Sequence, residues 1–153
     1  MARKLMSLLL IAITTLFAAQ SVACSCVGRP GTIAEEYQLS DKVFLGTVQS
    51  VGFTANGYQR LAVIQVEQSW KGYPGALVLV VTEVNSAACG VEFLPGQSWV
   101  VFGTDTMYDG GEAVYTHICT LAVQEEYAGA IMAELQVIPV QQSAWGRLKA
   151  SYR

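Results

Sequence analysis

Imidazole chemistry has almost no material in this sequence, because His117 is the only histidine among 153 residues. There is also no HExxH pair of zinc ligands, no phosphate-cradling glycine loop and no GxSxG elbow. The common metallopeptidase, nucleotide-hydrolysing and serine-hydrolase arrangements are therefore excluded. A lone histidine two residues before a cysteine, on an expected strand, reads as structural, since general-base work needs partners that the sequence does not offer. Positive charge is scarce as well, with 9 Lys and Arg against 12 Asp and Glu, which argues against a nucleic-acid partner. N-x-[ST] sequons, internal repeats and low-complexity stretches are absent. No catalytic set emerges, and the expectation is a protein that is not an enzyme and has no cofactor of its own.

One apolar run is present, at the start. Arg3 and Lys4 precede a stretch from Leu5 to Ala19 that is apolar apart from Ser7, Thr14 and Thr15, the layout of a secretory signal peptide. The run is short for a membrane span, and nothing after Ala23 continues it. Ser21-Val22-Ala23 supplies the small residues that signal peptidase reads, so residues 1–23 are expected to leave and the mature chain to begin at Cys24. A lipoprotein signal also ends at a cysteine, but it ordinarily has an aliphatic residue where Ser21 stands. Loss of Arg3 and Lys4 leaves 7 basic against 12 acidic residues, a formal charge of −5. The expected location is secreted or periplasmic, with no transmembrane span in the mature chain.

All four cysteines, Cys24, Cys26, Cys89 and Cys119, lie beyond the expected cut. An even number in an exported chain reads as two disulfides, for which three pairings exist. Cys24 and Cys26, with one residue between them, are not expected to bridge each other in an extended segment, so the start of the chain is expected to be stapled to two distant places. A thiol redox pair or soft-metal site at Cys24-Ser25-Cys26 is the weaker alternative, since redox pairs have two intervening residues beside a helix start.

Thr32-Ile33-Ala34-Glu35 fits a capping box opening a short helix through Leu39. Strands are expected over Lys42 to Ser50 and Tyr58 to Trp70, with Asn56-Gly57 turning between them. Trp70 to Gly75 is punctuation. A third strand, Ala76 to Glu83, is so apolar that both its faces are expected to be covered, in the middle of the fold. Further strands are expected over Ser98 to Gly103 and Glu112 to Ile118. Gln124 to Gln136 reads as a helix with Tyr127, Ile131 and Leu135 on one face. Five strands with two short flanking helices predict a mostly β fold, a small closed barrel over residues 24–138, because closure removes exposed edges. Residues 139–153, with Arg147, Lys149 and Arg153, read as a polar, loosely packed tail. Asp105, Asp109 and Glu112 form an acidic group without the alternating carboxylates of an EF-hand, and read as a solvated hairpin.

Cleavage before Cys24 would create one further group. The new α-amine and the carbonyl oxygen of Cys24 can close a five-membered chelate ring on a metal ion. The amine must be neutral, and model values of about 7.7 to 8.0 make it a partial donor near neutral pH. Disulfides on the chelating residue and two places later would preorganise it.

These features together resemble the N-terminal inhibitory domain of the tissue inhibitors of metalloproteinases. The resemblance rests on the start Cys24-Ser25-Cys26-Val27, the strand Asp41-Lys42-Val43-Phe44-Leu45-Gly46, and Tyr58-Gln59-Arg60 running on to Trp70-Lys71-Gly72-Tyr73. Ala88-Cys89-Gly90 and the approach into Ile118-Cys119 complete it, so that it covers residues 24–125. It implies a five-stranded OB-fold barrel, netrin-like, and the pairing of Cys24 with Cys89 and Cys26 with Cys119. It implies that the amine and carbonyl of Cys24 bind the catalytic zinc of a target metalloprotease, at the position such enzymes leave open for water. Ser25 would enter the specificity pocket. Val27 and Asn85-Ser86-Ala87-Ala88 would complete the contact ridge.

The chain departs from the animal members of that family in having neither their third disulfide in this domain nor their cysteine-rich second domain, as in a bacterial-type single-domain relative. Gly28-Arg29-Pro30 follows Val27 where they continue with proline. The leading expectation is an exported inhibitor of zinc metalloendopeptidases. The alternative is a non-inhibitory exported OB-fold binding or envelope module, anchored as a lipoprotein if Cys24 carries lipid.

Overall fold

Thr32 starts the first helix as the sequence predicts. In the computed structural model, which describes residues 24–26, 28 and 31–138, α1 spans Ile33–Leu39. The Thr32 hydroxyl accepts from the Glu35 N–H at 3.2 Å, and the Glu35 carboxylate accepts from the N–H groups of Thr32 and Gly31. At the other end Lys71 donates to the carbonyls of Tyr37 and Gln38, satisfying two of the carbonyls a helix end leaves over. The expected signal peptide, Val27, Arg29-Pro30 and the 139–153 tail lie outside the described residues.

Six strands follow. β1 (Lys42–Phe53), β2 (Gln59–Lys71), β3 (Leu77–Glu83), β4 (Ser98–Tyr108), β5 (Gly111–Tyr115) and the short β6 (Ala122–Gln124) pair in the order β1-β2-β3-β5-β4-β6. β1 also pairs with β4, so five strands close into a ring in which each has two neighbours. The result is a mostly β fold with a ring-like five-strand sheet and two helices. All ring pairings are antiparallel except β3 with β5, which is parallel and only two residue pairs long, Val80 with Val114 and Val81 with Tyr115. Register shifts in β1 bend it enough to serve both β2 and β4. Gly46 lies at this bend, where a Cβ would stand 2.4 Å from the Gln65 carbonyl oxygen.

Two cores share the sheet. Phe44, Val48, Ile64, Val80, Val101 and Val114 fill the inside of the ring, joined from the loop before β4 by Val91 and Phe93. Phe93 meets Trp99 edge-on, with ring centroids 5.0 Å apart. The second core lies outside it, where Val43, Leu45, Val100 and Phe102 pack against Tyr37 of α1 and Leu135 of α2 (Gly129–Val137).

Three expectations need correction. β1 and β4 are buried on both faces, inside by the ring and outside by the helices, and so is the second half of β3, where Val80, Val81 and Thr82 are all buried. β3 is one-sided at its start, with Val78 and Val80 inward but Leu77 62% exposed. The last helix begins at Gly129, because Ala122–Gln124 is drawn into β6 and Glu125–Tyr127 forms a 3₁₀ turn. Ile131 and Leu135 join the second core, but Tyr127 is 73% exposed. β5 ends at Tyr115 rather than Ile118, because the Thr116 hydroxyl donates to the Phe102 carbonyl and leads into a turn closed by Thr120. Among the described residues, no helix is long and apolar enough to cross a membrane.

Candidate functional site

Parallel strands bring their C-terminal ends side by side, so the loops that leave β3 and β5 emerge together. The loop after β3 carries Cys89 and the loop after β5 carries Cys119. Between them the Ile118 N–H donates to the Cys89 carbonyl at 2.9 Å. The strap Cys24-Ser25-Cys26 is fastened to both, with disulfides Cys24–Cys89 and Cys26–Cys119 at Cα separations of 5.1 and 5.3 Å. The sulfurs of Cys24 and Cys119 are 3.7 Å apart, so the bridges lie against each other. Both disulfides fit an oxidising, extracytoplasmic environment.

The loop after β3 is built by short polar residues. Asn85 caps the 3₁₀ turn Ser86–Ala88, its side-chain oxygen accepting from the Ala88 N–H at 3.0 Å. Cys89 closes the turn in the left-handed region (φ 71°), donating its N–H to the Ser86 carbonyl. Such a conformation is uncommon for a side chain other than glycine, and here the turn and the disulfide jointly impose it. Gly90 then passes so close to the end of β3 that a Cβ would stand 2.0 Å from the Glu83 carbonyl oxygen. Its N–H donates to the Asn85 carbonyl at 2.7 Å. Arg60 fastens the same segment from β2, donating to the carbonyls of Val84 and Phe93 with its guanidinium over the Phe53 ring. The Val91 N–H donates to the buried Thr82 hydroxyl.

Beneath the second bridge, the His117 Nδ1 accepts from the Cys119 N–H at 3.1 Å, which requires the neutral ring protonated at Nε2. Burial holds the His117 pKa below its ordinary value, with Glu83 partly opposing this. Tyr115 packs beside the imidazole and donates its hydroxyl to Glu83 at 3.1 Å. Burial, reinforced by Glu83, pushes that phenol up to about 12. His117 is thus a turn residue supporting a disulfide loop, in keeping with a structural role.

Of the residues singled out in the sequence, Cys24, Ser25 and Cys26 come together with Asn85, Ser86, Ala87 and Ala88 through the Cys89 bridge. Ser25, Cys26 and residues 85–88 are exposed. Val27 lies outside the described residues. The sulfurs of Cys24, Cys26 and Cys119 are within 4.8 Å of one another, but each belongs to a disulfide, so no thiolate is offered to a soft metal. The acidic trio is dispersed along the β4–β5 hairpin. Asp105 pairs with Lys42 at 3.1 Å, Asp109 occupies the turn, and Glu112 stands across from Met107. Among the described residues no group of three carboxylates converges closely enough to hold an ion. Sequence reading missed Arg60, Glu83 and Tyr115 as supports of this loop system, since only their neighbours in space give them that role.

Among the described residues the arrangement pairs no nucleophile with a base. It offers a three-residue strap, half-buried at Cys24 and exposed at Ser25 and Cys26, that is held at both ends. Comparison of the chain with models of protein families and with curated proteins found no match.

Proposed function

We propose that this protein is an exported inhibitor of zinc metalloendopeptidases, related in architecture to the tissue inhibitors of metalloproteinases. Cleavage after Ala23 would free the α-amine of Cys24, and that amine with the Cys24 carbonyl would take the two zinc positions that the enzyme leaves for water and substrate. Ser25 would plug the adjoining pocket, with Asn85 to Ala88 and Val27 as the flanking ridge. The ring with its two helices is read here as an OB-fold barrel.

The observation that carries this reading is the double anchorage of Cys24-Ser25-Cys26 to two loops that are themselves hydrogen-bonded to each other. A backbone chelator held by one bond would lose much of its affinity to ordering, whereas disulfides on Cys24 and on Cys26 two places later remove that cost beforehand.

The test adds a single alanine before Cys24 in the oxidised, processed protein. That change moves the amine off the chelating residue and leaves both disulfides in place. Inhibition of a panel of zinc endopeptidases should fall at least a hundredfold, on the order expected when a bidentate metal ligand is lost. Equal inhibition by the extended and unextended proteins, or a diacylglycerol adduct on Cys24 by intact mass, would sink the proposal.

A further inference from the structure

At the end of β3 and β5 opposite the strap, the sheet comes apart. Their ladder begins only at Val80 and Val114, so Leu77 of β3 and Glu112 of β5 lie upstream of it. Strand alternation fixes where their main chains point. The Val66 N–H bonds the Ala76 carbonyl, and the Val84 N–H bonds the Tyr58 carbonyl, so even-numbered residues of β3 face β2. The Thr116 N–H bonds the Val81 carbonyl, so odd-numbered residues of β3, and even-numbered residues of the chain leaving β5, face each other. Leu77 and Glu112 therefore aim their N–H and C=O groups at each other across a fork. Among the described residues no strand fills it.

The fork is a cavity of about 360 Å³, lined among others by Tyr73, Leu77, Leu79, Asp105 and Glu112. It continues into a second hollow of about 260 Å³ beside Met107. Its two walls differ. The β3 side is apolar and exposed, with Leu77 at 62% and Tyr73 at 73%. The hairpin side is acidic. Asp105 is neutralised by Lys42, but Glu112 lines the groove with no cationic partner among the described residues. Outward leucine on a strand beside two open main-chain edges is the combination that soluble proteins normally avoid or cover.

We propose that this fork binds an extended segment of a partner polypeptide that alternates basic and apolar side chains, added as a strand between β3 and β5. The segment's main chain would bond Leu77 on one side and Glu112 on the other, as in strand-addition recognition. Its apolar side chains would cover Leu77 and Tyr73, and its basic ones would face Glu112. β3 has seven residues, so the fork and the strap are separated by roughly 20 Å of strand, and one partner does not obstruct the other. The proposal does not depend on Cys24.

The test is amide NMR on the oxidised protein with three probes: acetyl-Lys-Val-Lys-Val-Lys-Val-amide, the same peptide with Glu for Lys, and a hexamer of N-acetylglucosamine. The Lys peptide should shift the Leu77 and Glu112 amides and slow their hydrogen exchange, and the Glu peptide should not bind. Glu112→Lys should weaken the Lys peptide roughly tenfold at low salt and less at high salt. Leu77→Ser should weaken it at any salt. Both side chains are exposed, so neither variant threatens folding. An alanine before Cys24 should change nothing here. Absence of shifts at millimolar peptide, equal binding by the Glu112→Lys variant, unchanged exchange at Leu77, or preference of the same amides for the sugar would each overturn the proposal.

Discussion

Removing either disulfide alone should destabilise the protein by the same amount, although the bridges span 65 and 93 residues. With the other bridge intact, the unfolded chain already has a short cut. From Cys26 it runs through Cys24 and its bridge to Cys89, then along thirty residues to Cys119. From Cys24 through Cys26 and its bridge the path to Cys89 has the same length. Each bridge therefore closes an effective loop of about 32 residues, which the chain-entropy relation converts to about 3.7 kcal/mol. Loss of both should cost about 8 kcal/mol, comparable with the whole stability of a small domain. The assay is urea unfolding by circular dichroism of Cys24→Ala/Cys89→Ala and Cys26→Ala/Cys119→Ala. The two variants should agree within about 1 kcal/mol, and their m-values should rise together as the unfolded state loosens. The reasoning fails if one bridge is worth under 1 kcal/mol and the other over 4 kcal/mol, since native contacts rather than chain entropy would then dominate.

Two further outcomes follow from the loops that hold the strap. Gly90→Ala should cost about 1–3 kcal/mol, because the new methyl group meets the Glu83 main chain, which cannot rotate away. In an inhibition assay its loss should exceed what the unfolded fraction explains, since the 85–89 turn must move; a variant as stable as the parent would refute the contact. His117 makes stability pH-dependent. Burial keeps its folded pKa below the ordinary 6.5, so the folded state favours the neutral ring that accepts from Cys119. That contribution is complete above the unfolded pKa and is lost as pH falls through it to the folded value. Urea midpoints measured downward from pH 7 should fall less for His117→Gln than for the parent, and parallel curves would exclude the linkage.

Local chemistry was legible in the sequence where it was complete within a few residues. The Thr32–Glu35 capping box and the turn at Asn56-Gly57 needed no tertiary information, and both stand where the sequence puts them. The existence of the five ring strands was legible too, but not that of β6, nor how far each strand is covered. An apolar run says only that both faces avoid water, and Leu77-Val78-Leu79-Val80-Val81 is as apolar as Trp99-Val100-Val101-Phe102. The helices settle the difference by packing on β1 and β4 and leaving the start of β3 open. The periodicity of Tyr127, Ile131 and Leu135 overstated the last helix because β4 still had a free edge beside Trp99 to Val101, which Ala122–Gln124 pairs with first. The cysteine pairing was not decidable from spacing alone, since two pairings remained once a Cys24–Cys26 bridge was set aside. The resemblance selected the one observed. The fork was invisible, because an unfilled strand edge depends on where a ladder stops.

The same shortness of that ladder explains why the strap sits where it does. The β3–β5 pairing has two residue pairs, against ten between β1 and β2, so it is the ring's weakest seam. One parallel pair is needed to close five strands into this ring, and its partners are far apart in sequence, so forming it costs loop-closure entropy that two pairs of residues offset poorly. The path from Cys89 through Cys24, Ser25 and Cys26 to Cys119 crosses this seam covalently at the ends where the strands emerge. The strap is therefore a brace for the ring before it is anything else. Its rigidity as a candidate ligand is a consequence of that duty, because an element that must hold β3 against β5 cannot itself be loose. At the opposite end no covalent brace crosses, and there the strands part to leave the fork.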